Sequence, residues 1–307
     1  MQLGYDKPLF ILPFDHRASF EKGLFGFSPP LSSAQTATVA TSKQVVYDGF
    51  RAALARDVPR EAAGILVDEQ FGDDILRDAR KNELVFCAPV EKSGQAEFQF
   101  QYANDWQEHI ATFNPTFAKV LVRYNPDDDA ALNRRQALRL RELSEFLRRT
   151  SRRFMFELLV PMTYEQSDRV EGNQRLYDDE LRPSLMVSAI RQLQDAGVEP
   201  DVWKVEGMTS RDDCRALVAA ARRGGRDRVG CIVLGRGADE TGIVAWLRAA
   251  AQVQGFIGFA VGRTSFWDAL VALRDGTITR DTAVEQIAAR YVEWIRIFRE
   301  AERAARS

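Results

Sequence analysis

The chain has 307 residues, 45% of them hydrophobic, enough for one large α/β barrel or two smaller domains. Its 42 basic and 44 acidic residues leave a formal charge of −2, and no basic run breaks that balance, which argues against nucleic acid as a partner. No uninterrupted apolar stretch is long enough to span a bilayer, and residues 1–7 lack the basic start and apolar core of a secretory signal.

The three cysteines, Cys87, Cys214 and Cys231, are odd in number and widely spaced. They read as reduced core residues of a cytoplasmic protein. Two histidines, His16 and His109, are too few for a His-rich zinc site, so no metal is assigned, although an oxygen-ligated Mg²⁺ stays open. No other cofactor is expected.

Eight apolar, β-branched-rich runs follow one another, each ending in charge. Residues 8–14 run into Asp15, 64–67 into Asp68 and Glu69, and 84–90 into Glu91 and Lys92. Residues 117–122 lead to Arg123, 153–156 to Glu157, and 201–205 to Glu206. The last two, 229–234 and 256–261, end in Gly235-Arg236 and Gly262-Arg263. Continuous apolar runs are what strands buried on both faces require.

Helical spacing fills the gaps. Val39, Val46, Phe50, Ala53 and Leu54 recur at helical intervals before the second run. Residues 129–149 carry a stripe of Leu132, Leu138, Leu143, Phe146 and Leu147. Further helices are predicted over 184–196, 210–223, 239–254, 265–274 and 280–303. Strand and helix alternating eight times predict an α/β fold, a (β/α)₈ barrel, as one domain over 1–307 with a C-terminal helix. A doubly wound sheet is the rival, but no GxGxxG follows the first strand. Two connections, 93–114 and 163–182, are long enough to be lids over the C-terminal mouth, or else packing surfaces of a homo-oligomer.

Charges at strand ends ring the catalytic mouth of such a barrel. Lys204 stands inside its run. Side chains alternate along a strand, so Val202, Lys204 and Glu206 share one face while Trp203 and Val205 share the other. If Trp203 faces the helices, Lys204 points into the barrel. A desolvated lysine beside another cation gives up its proton more readily, and the free amine attacks carbonyl carbon. A structural ion pair with Glu157 is the alternative. Lys119 repeats the oddity in the fourth strand, with Leu121 and Arg123 on its face. Lys119, Glu157 and Lys204, on neighbouring strands, could converge, with Glu157 moving protons during imine formation and carbon–carbon cleavage.

Gly235-Arg236 and Gly262-Arg263 each precede a helix, where glycine lets backbone N–H groups approach phosphate and arginine grips it. Asp15, Arg17 and Lys92 are candidates for the rest of the substrate, as are Arg123 and Glu206. Asp68 and Glu69 could bind hydroxyls or a metal.

In these strings the sequence resembles the class I aldolases related to tagatose 1,6-bisphosphate aldolase. Phe14-Asp15-His16-Arg17 looks like that family's Asp-Gln-Arg segment, and Val90-Glu91-Lys92-Ser93-Gly94 like its Leu-Glu-Lys-Thr-Gly. Lys119 falls at a family active-site lysine, and Glu157 resembles the carboxylate before its Pro-Leu-Thr-Tyr. Asp201-Val202-Trp203-Lys204-Val205-Glu206 is close to the segment bearing the Schiff-base lysine, and Gly262-Arg263-Thr264-Ser265-Phe266-Trp267 to the phosphate-binding segment. Other strings, among them Val67-Asp68-Glu69-Gln70-Phe71-Gly72, are similar to the domain fused to 5-dehydro-2-deoxygluconokinase in myo-inositol catabolism.

The resemblance implies a Schiff-base aldolase acting on a phosphorylated sugar, with dihydroxyacetone phosphate as one product. The second likeness suggests 6-phospho-5-dehydro-2-deoxygluconate as substrate and malonate semialdehyde as the other product. His16 departs from the family glutamine, and Arg236 stands where the sugar aldolases tend to have a Gly-Gly turn. Extra positive charge suits a substrate bearing a carboxylate as well as a phosphate. The rivals are a metal-assisted lyase or isomerase using Asp68, Glu69 or Glu206, and a non-catalytic sugar-phosphate-binding module.

Overall fold

A computed structural model describes residues 2–56, 58–235 and 239–306. Eight parallel strands close into a barrel in sequence order. They are β1 Leu9–Pro13, β2 Ala63–Leu66, β3 Val85–Pro89, β4 Phe117–Arg123, β5 Arg153–Leu159, β6 Val202–Glu206, β7 Gly230–Leu234 and β8 Phe256–Ala260. β8 pairs back onto β1, with Leu9 opposite Gly258. All eight predicted strands are present, and the (β/α)₈ fold is the one observed.

The helices are α1 Ser33–Leu54, α2 Glu69–Lys81, α3 Trp106–Phe113, α4 Ala130–Arg149, α5 Tyr164–Arg169, α6 Gln174–Leu176, α7 Arg182–Asp195, α8 Arg211–Arg222, α9 Glu240–Ala251, α10 Arg263–Arg274 and α11 Arg280–Arg306. Side-chain caps start several of them. Asp68, Asp129, Ser210 and Asp239 each accept a backbone N–H in the first turn that would otherwise be unsatisfied. α11 packs on α1, α9 and α10 and closes the outer ring.

Alternation along the strands makes two apolar layers. Phe10, Leu12, Ile65, Phe86, Val120, Phe154, Phe156, Trp203, Val205 and Phe259 face the helices in one buried cluster. Leu9, Ile11, Leu66, Cys87, Phe117, Met155, Val202, Ile232 and Ala260 fill the barrel interior in another. Tyr5 joins that inner cluster, its ring edge-on to Phe117, with the Arg153 guanidinium over it. The N-terminal segment is fastened by Asp201, whose carboxylate accepts the backbone N–H groups of Gly4 and Phe154 at 2.8 Å each.

This floor decides where the chemistry sits. Two residues beyond Phe117, Met155 and Val202, on the same inward face, come Lys119, Glu157 and Lys204. A charged layer thus rests directly on an apolar plug, on the side of the strands' C-terminal ends. Trp203 faces outward against Phe156, as the inward orientation of Lys204 requires.

The connection predicted as residues 93–114 is not a plain loop, because it contains α3. Its first half is tied down, with Lys92 N–H donating to the Gln99 carbonyl, Phe98 N–H to Gln136, and Glu97 paired with Arg135 and Arg139. Among the described residues no helix is long and apolar enough to cross a membrane.

Candidate active site

β4, β5 and β6 deliver Lys119, Glu157 and Lys204, and the register sets Glu157 directly opposite Lys204. The Lys119 ammonium meets three carboxylates: Asp15 Oδ2 at 2.8 Å, Glu91 Oε1 at 2.7 Å and Glu157 Oε2 at 2.9 Å. Glu157 uses its other oxygen on Lys204 Nζ at 2.7 Å. The expected convergence is therefore present, and Asp15 joins it from the end of β1.

Electrostatics separates these groups. Burial works against charge on Lys119, yet Asp15, Glu157 and Glu91 outweigh it and hold its pKa well above the usual lysine value. Burial likewise opposes ionisation of Asp15, but Lys119 and His16, then Lys204, pull its pKa below the ordinary carboxylate range. Glu157 is also lowered, burial being overcome by Lys119 and Lys204. Glu91 goes the other way: burial prevails over Lys119, and its pKa is raised.

Asp15, His16, Arg17, Glu91, Lys92, Gln95, Lys119, Leu121, Arg123 and Glu157 are among the residues lining a cleft of about 260 Å³. Arg17 is buried and fixed, donating to Gln101 Oε1 at 2.7 Å and to the Glu91 carbonyl at 2.9 Å. Lys92 is exposed on the rim, and so is Arg123, which donates to the Gln95 carbonyl at 3.0 Å. Glu206 is placed differently from the other substrate candidates. It is buried, accepts the Val160 N–H at 2.9 Å, lies 3.6 Å from Arg182, and does not line the cleft.

The two predicted phosphate turns are not equivalent. The first turn of α9 is already occupied by the Asp239 carboxylate, which accepts from Gly242 N–H. α10 has no side-chain cap, and exposed Arg263 begins it. Gly262 precedes Arg263 because nothing larger fits, since a Cβ there would lie 2.5 Å from the Pro13 carbonyl oxygen and 3.2 Å from the His16 ring. Gly262→Ala is expected to cost about 1–3 kcal/mol in a denaturant melt, because both neighbours belong to the β1 end and cannot withdraw independently. Unchanged stability would count against that tight fit. Gly235 follows β7, and Arg236 lies outside the described residues.

His16 sits beside this turn. Burial, helped by Lys204 and Arg263 and opposed by Asp15, lowers its pKa from 6.5 to about 4. Between those values the unfolded chain binds a proton that the folded chain refuses, so stability falls as pH drops, by at most about 1.4 kcal/mol per pH unit. His16→Gln is expected to remove that slope, checked by urea melts at pH 7 and pH 5. A variant that still loses stability as steeply as the parent would place the proton elsewhere.

Sequence reasoning passed over Glu91 in favour of its neighbour Lys92, and it missed Lys43. Lys43 is fully buried on α1, ion-paired with Asp68 and donating to the Phe14 carbonyl at 2.8 Å, just before Asp15. It lies on the helical stripe of Val39, Val46 and Phe50, where a lysine signals a buried partner. Asp68 is thus taken by Lys43, and Glu69 by His109 Nδ1 at 2.8 Å. Among the described residues no group of three or more His, Cys, Asp or Glu is arranged to hold a metal ion.

Fold and site together define a (β/α)₈ protein with a lysine–carboxylate centre at the C-terminal mouth of its barrel. The chain belongs to the family described as "Uncharacterized protein conserved in bacteria (DUF2090)", whose model matches residues 4–302. A comparison with curated proteins finds no match. Among solved structures it is similar to Cgl0159 from Corynebacterium glutamicum, with 16% identity, TM-score 0.56, and coverage of 95% of this chain and 88% of that one. A fructose-bisphosphate aldolase from Slackia heliotrinireducens is 12% identical with TM-score 0.53, covering 92% and 86% of the two chains. A Schiff-base-forming fructose-1,6-bisphosphate aldolase is 13% identical with TM-score 0.52, covering 94% of each. At these identities the likeness is one of fold.

Proposed function

We propose that the protein is a class I aldolase that cleaves a phosphorylated, ketose-type sugar acid through an imine on Lys204. The observation that carries this reading is the unequal treatment of two buried lysines. Lys119 is held by three carboxylates and serves as a fixed cation, whereas Lys204 meets a single carboxylate oxygen, Oε1 of Glu157. Lys204 attacks the substrate ketone as a free amine, and Glu157 passes protons between the Lys204 nitrogen and the carbinolamine oxygen, which leaves as water. The resulting iminium accepts the electron pair of the carbon–carbon bond. Lys119, ionised throughout, holds Glu157 in place and favours its return to the carboxylate after each transfer.

The substrate phosphate binds at Gly262 and Arg263, where α10 offers an uncapped N-terminus, and Gly235 and Arg236 are the second pair assigned to it. Asp15, Arg17, Lys92 and Arg123 read the remainder. The cations around the cleft suit a second anionic group, so 6-phospho-5-dehydro-2-deoxygluconate, giving dihydroxyacetone phosphate and malonate semialdehyde, is the specific candidate. The test is to incubate the protein with dihydroxyacetone phosphate, reduce with borohydride and measure intact mass. A covalent adduct that maps to Lys204 is expected. No adduct, or one that persists in Lys204→Ala, would sink the imine mechanism.

A further inference from the structure

We propose that Glu91 is the group that takes the substrate's hydroxyl proton as the carbon–carbon bond breaks, and that it does so on its unpartnered oxygen. This rests on the imine reading above and adds to it a second carboxylate with a separate task. Glu91 is 8% exposed, just beyond the end of β3, and lines the cleft. Its Oε1 meets Lys119 at 2.7 Å, while Oε2, also buried, has no hydrogen-bond partner. A buried polar atom left unpaired costs about 1–3 kcal/mol, so such an atom on a residue that lines a cleft marks where a proton or a ligand O–H belongs.

The other two carboxylates on Lys119 are poorly suited to the task. Glu157 bridges both ammonium groups, one with each oxygen, and Asp15 is held ionised by Lys119. Glu157 is thereby committed to the Lys204 nitrogen, and Asp15, stabilised so strongly as an anion, is a weak proton acceptor. Glu91, raised by burial, is closer to the working range of a general acid–base group. The charged groups acting on it are Lys119 from β4 and Asp15 and Arg17 from the end of β1. Arg17 also grips the Glu91 carbonyl and fixes the backbone there. Glu91 and Lys204 stand at the two ends of one chain of contacts, Glu91 to Lys119 to Glu157 to Lys204, and a substrate joined to Lys204 meets Glu91 with the portion that will leave.

The step balances. The substrate O–H bond breaks, and its proton forms an O–H bond to Glu91 Oε2. The oxygen's freed pair becomes the second bond of the departing aldehyde carbonyl. The pair of the broken carbon–carbon bond enters the iminium and leaves an enamine with a neutral nitrogen. In the reverse direction the protonated Glu91 returns its proton to the new alkoxide.

The experiment uses the full chain as wild type, Glu91→Gln and Glu91→Asp, with three readouts. These are borohydride trapping of dihydroxyacetone phosphate, exchange of its carbon-bound hydrogen with deuterated solvent, and condensation with malonate semialdehyde or glyceraldehyde 3-phosphate. Trapping and exchange need the imine and enamine but no hydroxyl proton. Glu91→Gln is expected to keep both within about threefold while condensation falls about 100-fold or more. Glu91→Asp is expected to recover part of the condensation. Condensation within about threefold of wild type in Glu91→Gln overturns the inference, and so does an equal loss of all three activities. Should the glutamine variant fail to fold, Glu91→Asp must show the same split at a smaller factor, and an equal loss in all three overturns the inference. Wild-type protein that traps no adduct, or adds neither aldehyde, overturns the aldolase reading itself and this inference with it.

Discussion

Lys119→Met is expected to be the most destabilising single substitution in the barrel. Removing one partner of a buried ion pair costs about 3–5 kcal/mol, because the other charge is left in a poor solvent. Lys119 is partner to three carboxylates at once, so the loss should reach at least that range and is read as a large drop in the urea midpoint. The pH dependence should change sign as well. In the wild type, Asp15 and Glu157 have pKa values below those of the unfolded chain. Their contribution is present above the ordinary carboxylate range and is lost as pH falls through the lowered folded values. Without Lys119, burial dominates and the folded values rise above the unfolded ones. The carboxylates should then add stability on acidification from pH 7, opposing the loss that His16 produces in the same range. A variant as stable as the parent at pH 7 would show that the carboxylates find other compensation.

The barrel was legible because its strands are buried on both faces, which forces long apolar runs that no other element of this length requires. The inward orientation of Lys204 was legible through Trp203, since a side chain of that size beside a lysine leaves one arrangement in which the larger apolar group packs on helices. Glu91 was not, because two charged residues in a row end the third run, and composition alone does not say which points inward. Parity does. Cys87 and Glu91 are four residues apart and share a face, but that face is known only once Cys87 is placed in the inner cluster. Helix α3 was hidden for a different reason. Trp106, Ile110 and Phe113 have helical spacing, but the stretch is short and preceded by polar residues, and short helices depend on tertiary packing rather than on their own propensity. The difference between the α9 and α10 N-termini was likewise beyond the string Gly-Arg, which both share. It depends on Asp239 reaching Gly242.

Lys204 should behave as the inverse of Lys119. Its removal leaves Glu157 paired with Lys119, so no carboxylate is orphaned and the cost in stability should be small beside that of Lys119→Met. Catalysis should suffer far more. A nucleophile that forms a covalent intermediate has no substitute within reach, and losses on the order of 10⁴-fold or more follow when such a group is deleted. Lys204→Arg separates charge from nucleophilicity. It keeps a cation beside Glu157, but a guanidinium is not deprotonated in proteins and cannot form the imine. Lys204→Ala and Lys204→Arg should therefore be equally inactive and equally free of borohydride adduct, while both retain most of the parent's urea midpoint. If Lys204→Arg keeps turnover, the lysine acts only by its charge. If the adduct maps to Lys119, the roles of the two lysines are exchanged, and three carboxylates must release a lysine that the electrostatics hold protonated. The barrel separates the two lysines by their partners alone, with three carboxylates to stabilise one charge and a single oxygen of the shared Glu157 beside the amine that must react.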